Sequence, residues 1–204
     1  LKHGLRFAVT EHMVRCYNWF NTNKGCDKEG PYAGIPYDGN DPAYQDLYFP
    51  PHDDSSIGYP LNPPEWWKLQ WYKRVKDLVE KYQPDLIYID GGVPFDEVGL
   101  AMIANYYNNS IKWHNGKLEA VLTLKDMRKF YEETGIYIGD YQEGVGVLDV
   151  EKGVVEDIWP EPWQTCSCIG IWFYNKYREL KNSDWIIKTL VDIVSKNGNL
   201  LLNF

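Results

Sequence analysis

The sequence predicts an α/β fold, namely a (β/α)8-like (TIM) barrel that is partial and lacks its N-terminal strands. Short apolar strands alternate with amphipathic helices, and strands with two apolar faces pair in parallel beneath covering helices. The sequence has no glycine-rich phosphate turn of the kind found in open doubly wound sheets, whereas long aromatic loops follow its strands. A complete barrel needs about 250 residues, so we expect one domain that holds roughly the last two thirds of a barrel. That domain covers residues 1–204.

The first predicted elements are a strand, a long loop and a helix. Residues 5–9 (LRFAV) form a short apolar strand, and residues 18–64 are rich in Gly, Pro, Asn, Asp and Tyr without helical periodicity. Loops of that length in compact domains are usually functional. The helix covers residues 65–82 and begins after two prolines. Its apolar residues recur at helical spacing and are Trp67, Trp71, Val75, Leu78, Val79 and Tyr82.

Strands and helices alternate through the rest of the chain. The predicted strands cover residues 85–90, 118–124, 136–141, 165–172 and 199–204. The predicted helices cover residues 98–110, 125–135 and 183–198. In the last helix, Ser183 is the expected N-cap and Gly198 ends the helix. Its expected buried stripe consists of Ile186, Ile187, Leu190, Val191 and Val194.

Aromatic content and charge restrict the class of ligand. Nine Trp and sixteen Tyr supply flat rings with polar edges, which suit stacking on sugar rings as well as core packing. The formal net charge is -8 and the sequence contains no basic face, which argues against a nucleic-acid partner. No apolar run approaches the ~20 residues of a membrane span. The expected ligand is therefore neutral or cationic.

The sequence predicts no metal site and no cofactor. Cys166 and Cys168 are separated by one residue, which is too close for the usual pair of zinc ligands. His52 precedes Asp53 and Asp54 but has no second histidine at a ligand interval. We interpret this stretch as an exposed loop.

Asp90 ends the apolar stretch PDLIYID and is followed by Gly91 and Gly92. In a parallel barrel the C-terminal ends of the strands face the active site, which makes Asp90 a candidate catalytic group. The two glycines would then leave space beside it for a substrate. The alternative is that Asp90 caps the next helix or forms a turn hydrogen bond, since Asp-Gly is a common turn pair. Composition leaves both interpretations open.

Polar residues also follow the neighbouring predicted strands. Glu11 and His12 end the first strand, where they could contact hydroxyl groups or simply be solvated. Lys125 and Arg128 follow the strand LEAVLTL. These two basic residues could orient a substrate, but the pattern favours a position on the solvent face of a helix.

Acidic residues lie beside aromatic ones in the stretch VEKGVVEDIWPEPWQTCSCIGIWFY. A sugar site needs carboxylates for catalysis and rings that stack on the sugar. The acids are Glu151, Glu156, Asp157 and Glu161, and the aromatic residues include Trp163, Trp172, Phe173 and Tyr174. A solvated acidic loop before a buried aromatic strand explains the same pattern. Spacing alone does not choose among these acids.

Four stretches of the chain carry a family resemblance. They are HGLRFAVTEHM with YNWF, QPDLIYIDGG, EPWQTCSCIGIWFYN and LVDIVSKNGNLLLNF. Together they resemble glycoside hydrolase family 29, the α-L-fucosidases, in the family's order and over nearly the whole chain. The resemblance implies a (β/α)8-like catalytic barrel, retaining hydrolysis of α-L-fucosides, and no cofactor.

The resemblance also implies catalytic roles. Asp90 falls on the position of the nucleophile, which forms a glycosyl-enzyme intermediate in the retaining scheme. Glu151, in the stretch DVEKG, resembles the acid/base of one branch of the family. Because the acid/base position varies between branches, the alternatives are Glu143, Glu156 and Glu161.

Substrate contacts and a partner follow from the same resemblance. His12 is the implied hydroxyl contact, and Trp163 and Trp172 are implied to line the sugar. The implied partner is a fucosylated oligosaccharide or glycoconjugate, and the implied location is secreted, periplasmic or lysosomal.

The chain departs from the family in one respect. The family's upstream His-His-Asp-Gly stretch, which binds the fucose hydroxyls, does not occur in it. We therefore expect the barrel of the isolated chain to stay unclosed, with exposed edges and no activity. The alternatives are a non-catalytic sugar-binding fragment, an inactive homologue, or a hydrolase of a related sugar such as an α-L-galactoside.

Overall fold

The computed structural model describes residues 7–20, 30–35, 38, 41, 43, 50, 52–54, 56–173 and 175–203. Nearly half of the predicted loop at residues 18–64 lies outside this set, so the long loop and the single domain stay predictions. The strands of the described residues are Ala8–Glu11 (β1), Leu86–Ile89 (β2), Val121–Leu124 (β3), Val147–Glu151 (β4), Trp163–Cys168 (β5) and Gly198–Asn203 (β6).

These six strands form one sheet in the order β1-β2-β3-β4-β5-β6, and each neighbouring pair is parallel. The sheet follows the order of the sequence and curls into half of a barrel, because twisted parallel strands with helical connections coil in one direction. The predicted partial (β/α)8-like barrel is confirmed. All C-terminal strand ends consequently lie along one edge of the sheet.

The described helices are Cys16–Phe20 (α1), Glu65–Tyr82 (α2), Glu97–Trp113 (α3), Arg128–Thr134 (α4) and Ser183–Ser195 (α5), and a 3-10 turn, Met13–Arg15, precedes α1. Helix α2 has the predicted bounds, and α3 contains the predicted residues 98–110. Helix α4 begins three residues later than predicted. None of the described helices is both long and apolar enough to cross a membrane.

Helices α2 and α3 form the main core with strands β2 and β3. The predicted apolar face of α2 is confirmed at its buried residues, which are Trp67, Trp71, Val75 and Val79. They share one apolar cluster with Ile87 and Ile89 of β2 and with Leu122 and Leu124 of β3. Tyr82 is an exception, because it is the last residue of α2 and its side chain is 64% exposed.

Two strand predictions in the second half of the chain need correction. Residues 136–141 are not a strand; among them only Asp140 forms a bridge, antiparallel to Val93. Gly135 and Gly139 have φ values of 69° and 83°, and such left-handed residues interrupt an extended segment. The strand next to β3 is instead β4. Local patterning does not predict β4, because Asp149 interrupts its apolar residues.

The last helix also differs from its prediction. Its N-cap is Asn182, whose side chain accepts a hydrogen bond from the Trp185 backbone N–H, and the helix ends at Ser195. The predicted buried stripe is wrong, because most of its members are exposed: Ile187 by 61%, Leu190 by 44%, Val191 by 62% and Val194 by 58%. Ile193 is the buried residue of α5. The described residues therefore leave the predicted apolar face of α5 in solvent.

Candidate active site

Charged side chains meet at the C-terminal edge of the sheet. Asp90 directly follows β2, Lys125 directly follows β3, and both Asp149 and Glu151 belong to β4. Parallel pairing brings these positions together, although they are far apart in the sequence. We refer to Asp90, Lys125, Asp149 and Glu151 as the carboxylate cluster.

Lys125 is the centre of the carboxylate cluster. Its Nζ atom lies 3.2 Å from Asp90 Oδ1, 3.3 Å from Asp149 Oδ2 and 3.1 Å from Glu151 Oε2. The Lys125 side chain is only 4% exposed, whereas that of Asp90 is 29% and that of Glu151 is 45% exposed. One buried ammonium group thus holds two carboxylates that reach the surface.

Asp149 forms the buried floor of the cluster. Its side chain is fully buried. Oδ1 accepts a hydrogen bond of 2.8 Å from Gln164 Nε2, and Oδ2 accepts one of 3.1 Å from the Tyr88 hydroxyl. Buried carboxylates are tolerated where hydrogen bonds and a counter-charge replace water. Asp149 is therefore anchored by its neighbours.

The protonation states of the groups around Lys125 follow from burial and charge. Burial alone would lower the pKa of the Lys125 ammonium, but the acidic groups around it, among them the Asp149 carboxylate, outweigh burial and hold that pKa above its usual range. Burial raises the pKa of the Tyr88 hydroxyl and of the Cys166 thiol. At neutral pH Lys125 is therefore a cation, whereas Tyr88 and Cys166 are uncharged.

Asp90 is flanked by basic residues on the β1 side. His12 Nδ1 lies 3.7 Å from Asp90 Oδ2, and Arg15 Nη2 donates to the Asp90 backbone carbonyl at 3.4 Å. The His12 side chain is 55% exposed. His12, the predicted contact of a sugar hydroxyl, therefore lies beside Asp90, the predicted nucleophile.

Gly91 and Gly92 do not leave space for a substrate. A Cβ atom on Gly91 would clash with the Tyr59 hydroxyl and lie 2.8 Å from the Ile138 carbonyl oxygen. One on Gly92 would lie 2.6 Å from the Asp140 carbonyl oxygen. The expected role of these glycines is corrected: they allow the backbone of residues 138–140 to pack directly behind Asp90.

The two predicted sugar-lining tryptophans lie in different places. Trp172 follows β5, is 37% exposed, and has the Lys152 Nζ atom 4.7 Å from its ring centroid. Lys152 directly follows Glu151 in the sequence, but the cavity that Trp172 lines includes neither Glu151 nor Lys125. Trp163 begins β5 at the opposite end of the sheet, is fully buried, and donates its indole N–H to the Lys196 carbonyl at 2.8 Å. The structure does not bring Trp163 together with Asp90.

The remaining glutamates lie elsewhere. Glu143 and Glu161 line a separate cavity of about 460 Å³ with Tyr107 and Val121, and Glu156 is exposed in the connection between β4 and β5. Lys125, Asp149 and Glu151 line a different cavity, of about 520 Å³. Of the four glutamates considered from the sequence, Glu151 is the one that joins the carboxylate cluster.

Among the described residues, no three or more His, Cys, Asp or Glu side chains are arranged to hold a metal ion. His52 instead stacks on Tyr17, with ring centroids 3.8 Å apart. Its Nδ1 atom accepts a hydrogen bond from the Asp54 backbone N–H.

Sequence reasoning misses the centre of the site. The pattern favours a position for Lys125 on the solvent face of a helix, and this prediction is wrong because the residue precedes α4 and directly follows β3. The available signal is its position: Lys125 follows an apolar run just as Asp90 does. Asp149 and Tyr88 have no comparable signal, since both lie inside strands.

A parallel barrel sheet with carboxylates at its C-terminal strand ends is the arrangement typical of the class of barrel glycoside hydrolases. The family model described as Alpha-L-fucosidase matches residues 1–204. The chain therefore belongs to the α-L-fucosidase family. A comparison with curated proteins gives no match.

Solved structures of Thermotoga maritima alpha-fucosidase are similar to this chain. The complex with fucose is 25% identical, with a TM-score of 0.48, over 69% of this chain and 28% of that chain. The complex with a mechanism-based inhibitor is 24% identical, with a TM-score of 0.48 and the same shares of both chains. The chain thus spans 28% of the length of these structures.

Proposed function

We propose that the protein is a retaining glycoside hydrolase that releases α-L-fucose from fucosylated glycans, with Asp90 as nucleophile and Glu151 as acid/base. The proposal rests on family membership and on the contacts of Lys125. In this scheme Asp90 attacks the anomeric carbon while Glu151 gives a proton to the departing oxygen. A water molecule then returns a proton to Glu151 and releases the sugar from Asp90.

The spacing of the two carboxyl groups carries the proposal. Asp90 Oδ1 and Glu151 Oε2 contact the same Lys125 Nζ atom at 3.2 and 3.1 Å, so their separation cannot exceed the sum of these distances. A separation of this order between the two nearest oxygens is compatible with the ~5–5.5 Å between the carboxyl groups of retaining enzymes. Their partial exposure suits groups that must meet a substrate.

Two other residues have proposed roles in substrate binding. His12 is exposed beside Asp90 and can donate to or accept from a sugar hydroxyl. Trp172 offers a partly exposed ring beside the Lys152 ammonium group, and such a ring can stack on the apolar face of a sugar.

The test uses the full-length protein and an aryl α-L-fucoside. The wild-type protein should hydrolyse it, Asp90→Gly should abolish hydrolysis, and added azide should restore part of the rate by attacking the anomeric carbon from the vacated side. Asp157→Gly is the control, because Asp157 is exposed in the connection between β4 and β5. Near-native turnover by Asp90→Gly would remove Asp90 from the mechanism. Fucose binding without turnover by the wild-type protein would favour a binding module.

A further inference from the structure

Lys125 contacts both proposed catalytic carboxylates at once. Its Nζ atom lies within 3.2 Å of an oxygen of Asp90 and of Glu151. Because the Lys125 side chain is 4% exposed, bulk cations cannot readily substitute for it. An ion pair whose cation is buried is less screened than one between two exposed groups.

A third carboxylate fixes Lys125 in this position. Asp149 Oδ2 lies 3.3 Å from Lys125 Nζ, and the Asp149 side chain is held in turn by Gln164 and Tyr88. Asp149 is fully buried, so a sugar does not reach it. Asp149 therefore holds the Lys125 ammonium group even when one of the two outer carboxylates, those of Asp90 and Glu151, loses its charge.

The proposed reaction moves a negative charge between those outer carboxylates. In the first half-reaction an Asp90 oxygen bonds to the anomeric carbon, the bond from that carbon to the leaving oxygen breaks, and the leaving oxygen takes the proton of Glu151. Asp90 becomes a neutral ester while Glu151 becomes a carboxylate. In the second half-reaction a water molecule gives a proton to Glu151 and the water oxygen bonds to the anomeric carbon. The bond from that carbon to the Asp90 oxygen breaks, which regenerates the Asp90 carboxylate.

We propose that Lys125 is a positioning residue that acts as the shared counterion of Asp90 and Glu151 and stabilises the negative charge on whichever of them carries it. The inference rests on the proposed function. Since both oxygens are already in contact with Nζ, the charge moves without movement of the lysine. A preorganised charge of this kind stabilises both transition states without reorganisation.

The variant Lys125→Met tests the proposal, because it keeps the length of the side chain and removes its charge. With an activated aryl α-L-fucoside, kcat/KM reports formation of the fucosyl-enzyme and kcat reports its breakdown. Both should fall by roughly 10²-fold, the usual effect of losing one preorganised electrostatic contact. A fall in only one of them would contradict a counterion shared by both half-reactions.

A second variant separates this role from a structural one. If Lys125 only neutralises the buried Asp149, the double variant Lys125→Met/Asp149→Asn should regain both the melting temperature and the activity. The shared-counterion role predicts a regained melting temperature with both rates still roughly 10²-fold low. Asp149→Asn alone keeps the ammonium between Asp90 and Glu151 and should stay within about tenfold of wild type. The inference would be overturned if the double variant regained activity, or if Asp149→Asn alone lost as much activity as Lys125→Met.

Lys188→Met is the matched control, since Lys188 lies on α5 with its side chain 77% exposed. It should leave both rates unchanged. A wild-type protein without turnover would overturn the proposed function and, with it, this inference. An active wild-type protein whose Lys125→Met variant keeps both rates would overturn the inference alone.

Discussion

The indole N–H of Trp71 donates a hydrogen bond of 3.0 Å to Oε1 of Glu11. This contact joins the buried face of α2 to the last residue of β1, next to His12 and the site edge. Oε1 also accepts from the Val14 backbone N–H at 3.3 Å. The other oxygen, Oε2, is buried and has no hydrogen-bond partner among the described residues.

Replacing Glu11 by glutamine should stabilise the protein increasingly as pH rises. Burial raises the pKa of Glu11 above its ordinary value of 4.5, although Trp71 and the backbone N–H groups oppose this. A raised carboxyl pKa contributes stability below the ordinary pKa, and that contribution is lost as pH rises toward the folded-state pKa. Glu11→Gln keeps the acceptor for Trp71 and cannot ionise.

The measurement is the melting temperature of wild type and Glu11→Gln between about pH 4 and pH 8. The difference in favour of the variant should grow across that range. Glu132→Gln, on the exposed side of α4, is the control for the substitution itself. If the melting temperature of Glu11→Gln instead fell further below that of wild type as pH rises, the Glu11 carboxylate would be stabilising.

Gly139 should tolerate no side chain, because its neighbours lie too close and its backbone is left-handed. Its φ is 83°, and a Cβ atom would lie 2.6 Å from the Gly92 backbone and 2.7 Å from the Tyr59 ring. Gly139→Ala should lower the free energy of unfolding by about 2–4 kcal/mol, through left-handed strain and overpacking.

Gly144→Ala separates these two causes. Gly144 has a φ of 81°, but nothing lies within 4 Å of the position that a Cβ atom would take, so only the strain of about 1–2 kcal/mol applies. Denaturant unfolding measures both variants. Equal losses would show that packing behind Gly92 is unimportant. Gly139→Ala should also reduce kcat, since Gly92 lies two residues after Asp90.

Glu151→Ala should affect fucosides according to their leaving group. Without a proton donor, a poor leaving group should lose about 10²–10⁴-fold in kcat/KM, whereas an activated phenolate needs no protonation and should lose far less. The experiment compares kcat/KM for a series of aryl fucosides and a fucosylated disaccharide. Glu161→Ala, in the separate cavity, should keep the wild-type ratio. Equal losses of Glu151→Ala on all substrates would assign the acid/base role to another residue.

Trp172→Ala should weaken substrate binding more than it slows the chemistry. Loss of one stacking contact should raise KM about five- to tenfold with a small change in kcat. Trp159→Ala is the control, because Trp159 is similarly exposed, at 42%, and lies before β5 with its backbone N–H bonded to the Lys196 carbonyl. Steady-state kinetics with a fucosylated disaccharide give both constants. An unchanged KM in Trp172→Ala would exclude stacking on its ring.

Local patterns are sufficient to predict the elements with strong periodicity. Helix α2 has its predicted bounds because four apolar residues recur on one face and two prolines precede it. Asp90 is recognisable as a strand-ending acid, and its position at the C-terminal edge follows from parallel pairing. The burial predicted for α5 is wrong. An apolar stripe indicates which face of a helix can pack against other residues, but it does not indicate whether the described residues cover that face.

The sequence by itself determined the alternation of strands and helices, the family, and the candidacy of Asp90 and Glu151. Only the tertiary structure decided that Lys125 lies between them, that Asp149 fixes it from below, and that Trp163 is buried at the far end of the sheet. The physical reason is that each of these contacts joins residues from different, sequentially distant elements of the fold. Their separation depends on register and curl of the sheet, which no local sequence pattern encodes.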